Sequence, residues 1–185
     1  MIPYKIQLED KSANESISIR IDKKILDKLR RHAKKEGTSL NSAISSLLGF
    51  GVAWTIPASK ACWVPLPKVS LKAIMERLDD TEIEDIATNQ AKNAIRDLIY
   101  AMTGKYTVKN LLEIISMRSK AAGFNYQEIE EGEEIHFVMH HDMGIKWSLY
   151  FKILYEIVLY DLGCKAKFGL TENTVTYTIH KKDYR

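Results

Sequence analysis

The sequence predicts a protein of two parts: a short amino-terminal β-α-α segment that pairs with a second copy of itself, and a larger carboxy-terminal α+β domain. Residues 16–21, S-I-S-I-R-I, alternate polar and apolar side chains as a half-buried strand does, and two amphipathic helical stretches follow them up to residue 54. After Gly123 the hydrophobic period changes from helical to alternating. This change predicts that the second part contains helices first and antiparallel strands afterwards.

The composition is that of an ordinary soluble globular protein, with 45% hydrophobic and 28% charged residues in a chain of 185. No unbroken apolar run approaches about 18 residues, and residues 1–15 contain no apolar signal core. We therefore expect a cytoplasmic protein that does not span a membrane. Cys62 and Cys164 fit neither a disulfide scaffold nor a zinc finger, so we expect both thiols to be reduced.

The predicted strand has one polar and one apolar face. Residues 1–15 are interpreted as a flexible arm, and the strand that follows places Ser16, Ser18 and Arg20 on one face and three isoleucines on the other. Because a lone strand has no sheet to join, two copies must pair antiparallel, which gives a two-stranded ribbon with the polar face outward. The major groove of DNA admits such a ribbon, and an arginine there bonds guanine in bidentate fashion.

Two helices follow the strand. Asp22 is the predicted N-cap of the first, which runs to about Glu36, and Gly37 suits the left-handed position after it. Ser39 suits the N-cap of the second helix, whose free amides and dipole attract a phosphate. Gly49 and Gly51 weaken the second helix or allow close helix approach, and Pro57 sets its latest end. The predicted dimer core consists of apolar residues from all three elements: Ile17, Ile19, Ile21, Leu29, Ile44, Leu47 and Leu48.

Basic charge is concentrated in this segment. Residues 16–55 contain eight lysines and arginines against three acidic residues, a net charge of +5, whereas the whole chain carries +3. All eight lie on the strand and first helix, as expected of a surface that faces phosphates; a solvated helix face is the alternative explanation.

The strand pattern, the Asp-led first helix and the G-T-S-L-N-S turn at residues 37–42 together resemble the ribbon-helix-helix fold of the Arc, MetJ and CopG repressors, over about residues 16–54 of a domain predicted at 16–56. The resemblance implies an intertwined dimer in which outward strand residues read bases, here Ser16, Ser18 and Arg20. It also implies a phosphate at the start of the second helix. The expected phosphate contacts are Lys23, Lys24, Ser39, Leu40 and Asn41.

Residues 57–69 contain three of the four prolines and are predicted to form a linker that docks on one of the domains through Trp63 and Val64. In the domain 70–185, helices are predicted at 71–78, at 81–104 with a Thr81/Glu84 capping box, and at 107–123. A hairpin of strands 124–130 and 134–141, a buried helix 145–162 and strands 164–170 and 174–179 follow. The order β-β-α-β-β predicts an antiparallel sheet.

The second domain is expected to sense an effector or to mediate oligomerisation. Trp147, Tyr150 and Tyr155, with Tyr160, are candidates for a small-molecule effector pocket, and core packing is the competing explanation for such a run. No catalytic motif is present, so we predict no enzyme activity and no cofactor.

His140, His141 and Asp142 are the candidate ligands of a metal site. His136 and His140 share a strand face, but four strand residues span roughly 13 Å, too far for one ion. The sequence therefore predicts no metal site.

The function predicted from these observations is a homodimeric, sequence-specific DNA-binding transcription regulator of the repressor type. Its expected partners are double-stranded DNA, a second copy of the chain and a small-molecule effector. The alternatives are an antitoxin-like protein that binds DNA and a protein partner, a metal-responsive regulator by analogy with the nickel-responsive family, and an architectural protein that coats DNA without sequence preference.

Overall fold

The computed structural model describes residues 15–184, and the chain divides into two units between Leu48 and Gly49. All but the last residue of the predicted arm, 1–15, lies outside the described residues. The sequence suggests a boundary in the stretch 57–69, whereas the division places this stretch, and residues 49–56 before it, with the larger second unit. The second unit therefore begins well before the prolines.

The described part of the amino-terminal unit contains α1 (Lys23–Lys35) and most of α2 (Leu40–Phe50). Helix α1 begins where the sequence predicts, since the Asp22 carboxylate accepts hydrogen bonds from the Lys24 N–H at 2.8 Å and the Ile25 N–H at 3.3 Å. Residues 16–21 form no strand within the single chain. A strand requires a partner strand, which a second copy of the chain would have to supply.

Helix α2 continues into one π-helical turn, Gly51–Thr55, and then into α3 (Ile56–Lys60). The Ile56 N–H bonds the Gly51 carbonyl five residues back, which is the wide spacing of a π-helix. Pro57 follows this turn; because proline lacks an N–H and crowds the carbonyl four residues back, a widened turn accommodates it. The prediction that the helix ends by Pro57 is therefore wrong, and so is that of an irregular chain throughout 57–69.

Among the described residues, Leu40–Lys60 is the one helical stretch that is long and apolar enough to cross a membrane, with a mean hydropathy of 1.2. A single such stretch is weak evidence, because core helices of soluble proteins reach the same length and hydropathy. It escapes a search for unbroken apolar runs because Ser42, Ser45 and Ser46 interrupt it.

Four further helices precede the sheet: α4 (Lys68–Met75), α5 (Asp80–Asn93), α6 (Ile95–Thr103) and α7 (Val108–Ala122). The capping box of α5 uses Asp79 and Glu82, not the predicted Thr81 and Glu84. The stretch expected to be one helix is broken at Ala94, whose φ of −123° is not helical. This break separates α5 from α6.

The sheet has four strands: β1 (Asn125–Glu131), β2 (Glu134–His140), β3 (Lys167–Leu170) and β4 (Thr174–His180). Every neighbouring pair is antiparallel, and the order is β1-β2-β4-β3. The α+β class, the β-β-α-β-β order and the antiparallel sheet are thus confirmed. Strand β3 begins later than predicted, because the chain first closes the preceding helix with a bond from the Cys164 N–H to the Leu159 carbonyl.

Helix α8 (Ile145–Asp161) lies at the centre of the second unit, packed against α5 and against β3 and β4. It buries side chains on several sides, as its nearly uninterrupted apolar sequence predicts. The sheet contributes its inner face to the same core. The fully buried large side chains of this core include Phe137, Met139, Phe151, Leu154, Leu159, Tyr177 and Ile179.

Candidate nucleic-acid interface

The basic residues of the amino-terminal unit are solvent-exposed. Arg20, Lys23 and Lys24 are exposed, as are the lysines and arginines farther along α1, and of these Arg30 pairs with Asp27 at 3.2 Å. Ser16 and Ser18, the other candidate base-reading residues, are exposed as well. A surface of this charge attracts a polyanion, and screening by salt weakens that attraction.

The turn between α1 and α2 has the geometry that its sequence predicts. Gly37 lies at φ +64°, and the Thr38 N–H bonds the Ala33 carbonyl at 2.9 Å, which completes a Schellman motif. At the start of α2, the Ser39 hydroxyl oxygen accepts the Ser42 N–H at 3.0 Å. This cap orients the first turn of α2, where the exposed Asn41 and the half-buried Leu40 supply the other candidate phosphate contacts.

The amino-terminal unit buries almost none of its large apolar side chains. Among its described residues only Ala33 and Ala43 are buried, whereas Ile17 is 72% exposed and Ile19 54%. Leu47 and Leu48 are 47% and 53% exposed, and Ile21, Leu29 and Ile44 are half-buried. The seven residues expected to form a dimer core are therefore at least partly open to solvent in the single chain.

The candidate metal ligands of the second unit do not converge. His140 lies at the end of β2, where its Nδ1 lies 2.9 Å from the Thr174 hydroxyl and its Nε2 lies 3.1 Å from the Asp142 carboxylate. His141 is fully buried and is turned toward other partners. No group of three or more potential ligands exists among the described residues.

The buried imidazole of His141 is held in one tautomer. Its Nδ1 accepts the Met143 N–H at 3.1 Å, so its Nε2 carries the proton and donates to the Ser148 hydroxyl at 2.9 Å. Ser148 in turn donates to the Glu172 carbonyl. In a catalytic pair the imidazole accepts the proton of the serine. Here the imidazole donates to the serine, so the hydrogen bond runs in the opposite direction. Burial lowers the pKa of His141 to about 4.

The predicted effector-pocket residues belong to a packed aromatic cluster on α8. Tyr150 and Tyr155 are buried in the core, Trp147 is half-buried, and Tyr160 is 79% exposed on the opposite side. The Trp147 ring lies 5.2 Å from that of Tyr150, and the Tyr150 hydroxyl donates to the Gln90 side-chain oxygen. Of these four aromatic residues, Tyr155 lines a small cavity of the second unit.

Three further residues of this cavity carry polar side-chain atoms and were not predicted as site residues: Trp63, Gln90 and Arg118. Arg118 had a detectable signal, since it lies seven residues after Leu111 and three after Ile115, on the apolar face of α7. An arginine at such a position is either paired or placed to meet a ligand. Gln90 and Trp63 have no comparable signal, because their partners are distant in sequence.

Both cysteines are free thiols, and burial raises the pKa of Cys164 to about 11, which makes that thiol a poor nucleophile. Comparison with known proteins adds no identification, since no protein-family model matches the chain and no curated protein matches it.

Proposed function

We propose that the chain is a DNA-binding transcription regulator that acts as a homodimer. Residues 16–21 of two copies would pair as an antiparallel ribbon, with the polar face in the major groove and the isoleucines against the helices. The observation that supports this most directly is the exposed apolar set of the amino-terminal unit, which lies in the same short segment as the +5 charge.

The apolar exposure supports dimerisation energetically. Burying one isoleucine or leucine side chain contributes roughly 1.5–3 kcal/mol. With Ile17, Ile19, Leu47 and Leu48 about half or more exposed, each copy leaves several kcal/mol unrealised until a second surface covers them. Pairing of two copies also supplies the strand partner that residues 16–21 lack in the single chain.

The proposed base contacts and phosphate contacts follow from the chemistry of the side chains. Arg20 would bond a guanine edge, with Ser16 and Ser18 beside it, because a guanidinium matches the two acceptors of guanine. Lys23, Lys24 and the capped amino terminus of α2 at Ser39 would hold phosphates, which position the dimer but carry no sequence information.

The test is selection of bound fragments from a random DNA library, with affinities then measured at two salt concentrations. We expect the selection to enrich a two-fold symmetric motif. We also expect sedimentation of the free protein to give the mass of two chains. Enrichment of no motif would leave the architectural alternative in its place. A stable monomer at concentrations well above those of the binding assay would contradict the proposal.

An antitoxin-like protein is the second candidate. Val64, Leu66 and Val69 of the second unit are 70%, 53% and 73% exposed, a concentration of apolar side chains that favours a protein partner. Purification of the tagged chain from its native cells would distinguish the two candidates. A stoichiometric protein partner that releases the chain from DNA would favour the antitoxin-like function.

A further inference from the structure

The second unit contains a partly open cavity of about 20 Å³ between α5, α6, α7, α8 and the Trp63 side chain. Most of its wall is aliphatic, but four of the residues that line it carry polar side-chain atoms: Trp63, Gln90, Arg118 and Tyr155. A space of this size holds about one water-sized group. The chemistry of the four groups determines which kind of group fits.

Two of the four present buried polar atoms that are not hydrogen-bonded. Tyr155 is 3% exposed, and its hydroxyl has no hydrogen-bond partner; the indole N–H of Trp63 has none either. Buried donors of this kind are costly unless a partner is supplied. In one cavity, two such atoms point to a guest that accepts hydrogen bonds.

Arg118 adds positive charge at the same place. Its guanidinium lies 5.4 Å from the centre of the Trp63 ring and 4.8 Å from that of Phe151, and it is half-buried. Among residues 15–184, no acidic side chain forms an ion pair with it. Burial raises the pKa of Tyr155 to about 12, and the nearby Arg118 guanidinium opposes this rise through its charge and its closeness to the hydroxyl.

The remaining polar group is also arranged to donate. The Gln90 side-chain oxygen already accepts a hydrogen bond from the Tyr150 hydroxyl, which leaves the amide nitrogen. Indole, guanidinium and amide nitrogens donate only, whereas the Tyr155 oxygen and the second lone pair of the Gln90 oxygen are able to accept. Donors therefore outnumber acceptors among these groups. An anion finds a complementary set of donors.

We propose that this cavity binds the carboxylate group of a small organic acid, with Arg118, Tyr155 and Trp63 as its donors. One carboxylate oxygen fills this space, and the rest of the acid extends outward past Arg118 and Trp63, which are only partly buried. The acid would be the effector of the proposed regulator, and in this respect the inference rests on the proposed function.

The three tryptophans of the chain provide the measurement. Each gives one indole N–H signal in a ¹H–¹⁵N NMR spectrum of the full-length protein, and Trp63→Phe identifies the signal of Trp63. Titration with sodium acetate, butyrate or benzoate should shift that signal saturably with at least one of them, because a charged acceptor occupies its free N–H. Sodium chloride at equal ionic strength should not.

Substitutions distinguish a specific carboxylate site from nonspecific ion binding. Arg118→Gln should weaken binding about ten- to a hundredfold, since it removes a charge-assisted hydrogen bond, and Arg118→Lys should restore part of the loss. Tyr155→Phe, which keeps the shape, should weaken it about three- to tenfold. The matched controls are Arg96→Gln, an arginine over the Tyr106 ring, and Tyr160→Phe, an exposed tyrosine of α8; both should bind as wild type.

Three results would overturn the inference: no saturable shift with any of the three acids, an equal shift with chloride, or unchanged affinity in both Arg118→Gln and Tyr155→Phe. The DNA-selection experiment tests the proposed function separately. If the acid binds but the chain selects no DNA motif, the carboxylate site stands and the proposed function falls. If a motif is selected but none of the acids binds, the reverse holds.

Discussion

The two units of this protein differ in how they satisfy their apolar side chains. The second unit buries Phe151, Leu159 and Val175 completely, whereas the first leaves Ile17 and Ile19 more than half exposed. Both segments have the periodic patterns of foldable sequence. The difference shows that the described part of the first unit is amphipathic without burying a core of its own, and in the proposed dimer its hydrophobic free energy would be realised on association.

The largest expected effect is a loss of stability in the second unit that does not depend on protein concentration. Phe151→Ala removes a ring that is fully buried between Tyr150 and Tyr155, and a cavity of that kind costs about 3–5 kcal/mol. Urea unfolding followed by tryptophan fluorescence should show this loss at every protein concentration. A loss that depends on protein concentration would mean that the core of the second unit also requires a second copy.

The next effect concerns the first unit. Ile19→Asp should weaken dimerisation by about 3 kcal/mol, roughly a hundredfold in Kd, because a carboxylate would replace an apolar side chain in the proposed interface of each copy. Sedimentation equilibrium measures this directly. The matched control is Ile86→Asp, an isoleucine 43% exposed in the second unit, which should leave the mass unchanged. Equal dissociation in both variants would refute the proposed interface.

A third variant tests the polar face of the proposed ribbon. Arg20→Ala should cost about 1–3 kcal/mol on the selected DNA site and relax preference at one position. Lys24→Ala should instead weaken binding to all sequences and lower the salt slope by about one. Fluorescence anisotropy on matched and scrambled duplexes separates the two. Retained discrimination in Arg20→Ala would remove this residue from base reading.

Mild acid should act on the second unit through His141. Its pKa is lowered to about 4 from an ordinary value of 6.5, so the unfolded chain takes up a proton that the folded chain refuses. Stability is therefore fully present above about pH 6.5 and decreases as the pH falls toward 4, by about 2 kcal/mol between pH 7 and pH 5. His141→Gln should remove most of this slope in urea unfolding, whereas His32→Gln, an exposed histidine of the first unit, should not.

The smallest expected effect compares two glycines. Gly37 lies at φ +64° with open space around it, so Gly37→Ala should destabilise the first unit by about 1 kcal/mol through backbone strain alone. Gly49 is helical and equally open, so Gly49→Ala should raise helix stability by up to about 1 kcal/mol. Circular dichroism at several concentrations measures both. If Gly49→Ala weakens the dimer, this glycine lies where two helices approach closely.

Local features with a strong sequence signal were predicted well. The cap at Asp22, the left-handed Gly37, the hairpin across Gly132 and the β-β-α-β-β order along the chain all depend on neighbouring residues, and all are observed. The expected strand at 16–21 depends on a second copy of the chain. The structure of a single chain therefore does not test this prediction.

Features that depend on distant contacts were missed. Ala94 has high helix propensity, yet the chain breaks there, and nothing in the neighbouring sequence marks the position. Pro57 is a reliable helix breaker by sequence, but a single π turn ahead of it lets the helical path continue. Of the candidate site, Tyr155 was anticipated, whereas the arrangement of Trp63, Gln90 and Arg118 around it arises only from tertiary packing.

The outermost strand β1 has a consequence for self-association. Glu128, Glu130 and Glu131 make this sheet margin acidic. Burial raises the pKa of Glu128, and the charge of its neighbour Glu130 raises it further. If two molecules joined their sheets along this margin, carboxylates would meet carboxylates, and the repulsion would oppose the growth of a continuous fibre-like sheet. At this edge, the acidic side chains thus oppose the kind of strand pairing between molecules that the proposed dimer of the small unit would use.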